Sequence, residues 1–69
     1  MMLKTRLKEY RVKHSMNQDT LARLVGVRRE TIGHLERGQY NPSLKLAWDL
    51  AKTFNITIEE LFDYDEEES

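Results

Sequence analysis

A chain of 69 residues holds one domain with a small core, and a core of that size gains when two copies pair. The absence of cysteine excludes a disulfide framework and a thiolate metal site, and apolar runs of two or three residues exclude a membrane-spanning helix. The net charge of −1 conceals a polarity: residues 1–58 carry eleven basic side chains against five acidic ones, a net +6, while residues 59–69 carry seven acids and no base.

In chain order, Leu7, Tyr10, Arg11 and His14 recur at helical spacing and predict a first helix over about 5–14. Ser15-Met16-Asn17 breaks it. Asn17 is a good N-cap, because its side-chain oxygen can accept an orphan N–H of the next turn. The second helix, about 18–25, carries Leu21, Ala22 and Val25 on one face, and Gly26 stops it in a left-handed conformation. The third helix, about 29–37, turns Ile32, Leu35 and Glu36 inward and stops at Gly38. Two short amphipathic helices joined at a glycine are the construction of a helix-turn-helix, in which one helix crosses a DNA backbone and the next enters the major groove.

Gln39-Tyr40-Asn41-Pro42 reads as a loop, with Asn41 held extended by the proline. Ser43 caps a fourth helix, about 43–54. Its apolar set of Leu44, Leu46, Ala47, Trp48, Leu50, Ala51 and Phe54 exceeds one face. Trp48 and Phe54 are expected in the core. The surplus is expected to form a dimer surface using Leu46, Leu50 and Ile58. Asn55 suits a left-handed helix end. Thr57-Ile58-Glu59-Glu60 is a capping box that opens a fifth helix, about 58–62. Phe62-Asp63-Tyr64 alternates at period two, and a ladder between residues 62–64 and 2–4 is left open. Residues 1–64 are read as one domain. Residues 65–69 are read as a disordered acidic tail.

The ordered set Asn17-Gln18, Leu21-Ala22, Gly26-Val27, Thr31-Ile32, Leu35-Glu36-Arg37-Gly38, Asn41-Pro42-Ser43-Leu44 and Ala51 through Leu61-Phe62 resembles the lambda-repressor-like, Cro-type helix-turn-helix family, also called XRE-type. The resemblance implies an all-α fold of five helices and a DNA-binding regulator of transcription, usually a dimer. It places Arg28, Arg29, Glu30, Gly33 and His34 on the helix face that reads bases. It places Asn17, Gln18, Arg23, Thr31, Arg37, Asn41 and Ser43 along the DNA backbone. Arg11 and Glu36 match a family ion pair that orients the recognition helix.

Two positions depart from the family pattern. Arg28 stands where a capping Ser or Thr is usual, exchanging a cap worth about 1 kcal/mol for a long cation. Gly33 sits mid-helix, where glycine costs about 1 kcal/mol against alanine. Close approach of the helix to DNA and simple tolerance at a surface site are both open readings of it. Arg29 can bind guanine O6 and N7 bidentately or neutralise phosphate. Glu30 can accept from cytosine N4 or brace Arg29 or His34. Neither His14 nor His34 has a ligand partner at i+4, so no metal site is expected.

The expected function is a sequence-specific transcriptional regulator, a repressor that binds a pseudo-palindromic operator in double-stranded DNA as a homodimer. Two alternatives are an antitoxin of a toxin–antitoxin pair and a protein-interaction module that no longer binds DNA. No nucleophile–base pair or phosphate-cradling glycine loop suggests an enzyme. No cofactor, metal, small-molecule effector or membrane partner is expected, and the start Met1-Met2-Leu3-Lys4 has no secretory apolar stretch. The expected location is cytoplasmic.

Overall fold

The computed structural model describes residues 2–65. The elements are β1 (Met2–Thr5), α1 (Leu7–Lys13), α2 (Gln18–Val25), α3 (Arg29–Glu36), α4 (Leu44–Phe54), α5 (Ile58–Leu61) and β2 (Phe62–Asp65). Five helices carry the fold. The terminal strands close it with an antiparallel ladder in which Met2 pairs with Asp65, Leu3 with Tyr64, Lys4 with Asp63 and Thr5 with Phe62.

That ladder shortens α1. The first helix starts at Leu7 rather than Thr5, because Thr5 is still strand, opposite Phe62. The Thr5 hydroxyl then accepts the Leu7 N–H at 3.0 Å, and the Arg6 N–H donates to the Leu61 carbonyl at 2.9 Å. The ladder also extends through Asp65, one residue beyond the expected strand, and residues 66–69 of the acidic tail lie outside the described residues.

Four helices end in one way. Ser15, Gly26, Gly38 and Asn55 all take positive φ, at 57°, 74°, 70° and 58°. The next residue then donates back five positions: Met16 to Arg11, Val27 to Ala22, Gln39 to His34 and Ile56 to Ala51, all at 2.9–3.1 Å. This bond satisfies carbonyls that a helix end would otherwise leave orphaned. Starts are equally regular. Asn17 Oδ1 accepts the Thr20 N–H at 2.7 Å, and Ser43 Oγ accepts the Leu46 N–H at 3.1 Å. Thr57 and Glu60 complete the expected capping box.

Every helix sends at least one fully buried side chain to a single core: Leu7, Leu21, Ile32, Leu35, Leu50 and Leu61. Each such side chain contributes roughly 1.5–3 kcal/mol by burial. The apolar set of α4 divides. Leu46, Ala47, Leu50, Ala51 and Phe54 are buried, while Leu44 and Trp48 point outward at 78% and 55% exposure. Trp48 therefore stands outside the core, with the Lys52 ammonium over its ring at 5.3 Å. Leu50 and Leu46, expected at a dimer surface, are enclosed by their own protomer and offer almost nothing to a second copy. A helix can bury only about half of its circumference here, and Leu46, Leu50 and Phe54 occupy that half.

Candidate nucleic-acid interface

The second and third helices pack at a fixed angle through Leu21, Ala22, Ile32 and Leu35, all buried. A polar lock reinforces the joint. The Arg11 Nε donates to Glu36 Oε2 at 2.5 Å, its Nη2 to Glu36 Oε1 at 3.3 Å and its Nη1 to the Met16 carbonyl at 2.8 Å. The Gln18 Nε2 donates to the same Glu36 Oε1 at 3.0 Å. The Arg11 and Glu36 side chains are only 11% and 5% exposed. One carboxylate thus ties α1, the α1–α2 loop, the first residue of α2 and the last residue of α3. The expected ion pair is present, and it has a third member that sequence spacing did not disclose.

Outside that lock, α3 presents its polar side to solvent. Arg28, Arg29, Glu30, His34 and Arg37 are exposed, and Thr31 is half-buried. Arg28 makes no side-chain capping bond, as its chemistry requires, and its cation is left to the surface. Gln18, Arg29, Glu30, Gly33, His34 and Arg37 together line a shallow depression of about 200 Å³. Arg11, Asn17, Gln18, Asp19 and Arg29 line its neighbour at the start of α2. Gln18 and Arg29 belong to both, so the two helix N-termini share one surface.

The remaining residues expected near a DNA backbone have structural bonds of their own. Asn17 and Ser43 are caps, and Arg23 pairs with Asp19 at 3.1 Å one turn away. Asn41 accepts a hydrogen bond from the Tyr64 hydroxyl at 3.3 Å, which fastens the α3–α4 loop to β2. None of Arg23, Asn41 or Ser43 lines the depression on α3. Gly33 is not a bare surface position. It is buried, and a Cβ placed on it would meet Arg37 Nη1 at 3.6 Å, Gln18 Nε2 at 3.7 Å and Arg37 Nη2 at 3.8 Å. Gly38 stands against the ladder, with the Leu3 carbonyl oxygen 2.8 Å from its own Cβ position.

Among the described residues, no three His, Cys, Asp or Glu side chains are grouped as metal ligands. No helix among them is long and apolar enough to cross a membrane.

A helix pair locked in this way, with an exposed basic and amide-bearing face on the second helix, is a helix-turn-helix DNA-reading domain. The model of the helix-turn-helix family HTH_3 matches residues 7–61. An HTH-type transcriptional regulator of Archaeoglobus fulgidus is 59% identical over 66 residues, 96% of this chain and 93% of that protein. The cryptic phage CTXphi transcriptional repressor RstR of Vibrio cholerae is 32% identical over 60 residues, 87% of this chain and 54% of RstR. Among solved structures, the restriction-modification controller protein C.AhdI from Aeromonas hydrophila superposes with a TM-score of 0.73 at 42% identity, covering 80% of this chain and 83% of that one. The chain belongs to this XRE-type helix-turn-helix family and is a transcriptional regulator with a helix-turn-helix DNA-binding domain.

Proposed function

We propose that this chain is a sequence-specific repressor that binds a pseudo-palindromic operator as a homodimer. The observation that carries the reading is the exposed row Arg28, Arg29, Glu30 and His34 on α3, held against Gln18 by the buried Arg11–Glu36 pair. A face built this way meets the two requirements of a reader: side chains of base-edge length in the first turns of the helix, and a rigid angle to the helix that crosses the backbone.

In this reading Arg29 binds guanine O6 and N7 in the major groove, and Glu30 accepts from cytosine N4 on a neighbouring pair. Gln18, Arg28 and Arg37 contact phosphate. The N–H groups that open α2 add a positive dipole end beside them. Thr31, Asn17, Arg23, Asn41 and Ser43 complete the backbone contacts. Of these, the side chains of Asn17, Arg23, Asn41 and Ser43 hold intramolecular bonds, so any that reach DNA must exchange those bonds or use backbone N–H groups. Residues 1–64 act as one unit in this reading.

Homodimerisation is supported by the apolar surface the protomer leaves uncovered. Leu44 and Trp48 lie four residues apart on one exposed face of α4, and Ile58 is half-buried at the start of α5. A two-fold pair of recognition helices fits half-sites about 34 Å apart, one DNA turn. Repression is supported by kinship with RstR, which is itself named a repressor. Occlusion of polymerase needs no surface beyond the DNA-binding one.

The test is selection of bound duplexes from a random pool, followed by anisotropy titration of the selected site at two salt concentrations. The expected result is a symmetric site, dimeric stoichiometry and affinity that falls steeply with salt. Equal affinity for random duplex would refute sequence specificity. A monomer on a single half-site would refute the dimer.

A further inference from the structure

Three nitrogen donors from two helices point at one place in this molecule, and that place is an absent side chain. Around the position where a Gly33 Cβ would stand are Arg37 Nη1 at 3.6 Å, Gln18 Nε2 at 3.7 Å and Arg37 Nη2 at 3.8 Å. The donors have capacity left. Among the described residues, Arg37 uses only its Nε, on Gln39 at 3.1 Å, and Gln18 Nε2 uses one of its two protons, on Glu36. The Gln18 amide cannot turn its oxygen to this point without losing the Glu36 bond, so its N–H is held toward Gly33.

We propose that the Gly33 notch is an oxyanion seat, in which one phosphodiester oxygen of the DNA backbone is shared by Gln18 and Arg37. The proposal rests on the DNA-binding reading above and reassigns Gly33 from base reading to backbone positioning. An oxygen hydrogen-bonded to these nitrogens needs separations near 2.9 Å. Such an oxygen sits slightly outside the Cβ position, within the space that a methyl group there would fill. A side chain at residue 33 therefore leaves the free protein intact and excludes the ligand. Arg29 and His34 at the rim add positive and polar character, and Glu30 is the single carboxylate of the lining.

This also accounts for a glycine in the interior of α3. Alanine there would favour the helix by about 1 kcal/mol, and its Cβ would meet only ordinary van der Waals distances. Folding alone gives no reason to keep glycine, whereas a shared phosphate does.

The experiment compares wild type, Gly33→Ala, Arg37→Ala and the double variant by anisotropy on the selected duplex and on a random duplex, each across a salt series, with thermal melts alongside. Gly33→Ala is expected to melt higher than wild type. Its affinity should be about tenfold weaker, the scale of one lost charged hydrogen bond, on both duplexes alike. Its log–log salt slope should be shallower by about 0.9. Arg37→Ala should show the same slope change, and the double variant should add little to either, because both changes remove one contact.

A Gly33→Ala protein that binds with wild-type affinity and slope overturns the seat while leaving the DNA-binding reading in place. A loss confined to the selected sequence, with the slope unchanged, makes Gly33 a base-approach position and also overturns the seat. Fully additive losses in the double variant do the same. A folded wild type that binds neither duplex overturns the DNA-binding reading and the seat with it. Inorganic phosphate added to the salt series at constant ionic strength separates the sources. Competition at millimolar levels that fails with Gly33→Ala would mean a free-phosphate site and overturn the assignment to DNA.

Discussion

Replacing Glu36 by alanine removes the acceptor for three hydrogen bonds at once: two from Arg11, at 2.5 and 3.3 Å, and one from Gln18 at 3.0 Å. Gln18 is half-buried and can turn its amide toward water. Arg11 is about nine-tenths buried and cannot. The dominant cost is therefore a desolvated guanidinium whose remaining protein partner is the Met16 carbonyl, on the order of 3–5 kcal/mol for a broken buried pair. A domain of this size has only roughly 3–10 kcal/mol in total. Each kcal/mol moves the melting midpoint by about 4–8 °C in a domain of this length, so the expected fall is about 12 °C or more. Denaturant unfolding followed by circular dichroism measures it, with Glu36→Gln as the milder variant if the alanine protein does not fold. Arg11→Met combined with Glu36→Met should recover most of the loss, since an apolar pair of similar volume removes the unpaired charge. A Glu36→Ala loss below about 1 kcal/mol, the scale of an exposed pair, would refute the buried lock. Simple additivity in the Arg11/Glu36 double-mutant cycle would refute it as well.

Gly38→Ala combines left-handed strain with a 2.8 Å approach to the Leu3 carbonyl, whereas Gly26→Ala, at a similar φ, meets nothing within 4 Å. The first should cost clearly more than the second, for which about 1–2 kcal/mol is expected, and equal melting shifts would show that the ladder simply moves aside. At the capping box, hydrogen bonds from the Thr57 backbone N–H and then its hydroxyl hold the Glu60 carboxyl below its usual range, with Arg6 adding a smaller pull against slight desolvation. A lowered folded pKa stabilises the folded state above the unfolded pKa, and that contribution is lost as pH falls through the lowered value. An NMR titration should place the Glu60 midpoint below that of Glu60 in the Thr57→Ala protein, and coincident midpoints would contradict the box. Arg29→Ala should lose roughly 1–3 kcal/mol of discrimination at one base pair of the selected site, read by competition with single-base variants. An equal loss on every variant would make Arg29 a phosphate contact.

Most helix boundaries were legible because capping is local chemistry. Asn17, Ser43 and Thr57 each accept an N–H three residues on, as their sequence contexts predict, and Gly26, Gly38 and Asn55 are residue types that tolerate positive φ. Ser15 ends α1 in the same left-handed conformation, and its residue type gives no such signal. The outward Trp48 and the enclosed Leu50 were not legible either. Seven apolar positions on α4 cover more than one face, and only the placement of α5 and α2 against the helix decides which are inside. The same limit applies to the site. The Arg11–Glu36 pair is foreshadowed by family pattern, but the orientation of the Gln18 amide depends on three elements meeting.

That amide is where core and surface join. Glu36 lies three residues after Gly33 on α3 and Arg37 four, so the buried carboxylate and the exposed guanidinium flank Gly33 within one turn. Gln18 reaches both from the start of α2, with one proton on Glu36 and its nitrogen 3.7 Å from the Gly33 notch. Loss of Glu36 should therefore act on DNA binding in two ways. It loosens the angle between the helices, and it frees the Gln18 amide to rotate its oxygen toward the phosphate, turning a donor into a repulsive acceptor. The second effect is separable. In the Arg11→Met, Glu36→Met protein the core is closed again while Gln18 has lost its anchor. A protein restored in stability should then still bind DNA more weakly than wild type, with a salt slope reduced as in Gly33→Ala. Full recovery of affinity alongside stability would mean that Glu36 acts through packing alone and that the amide needs no orientation from it.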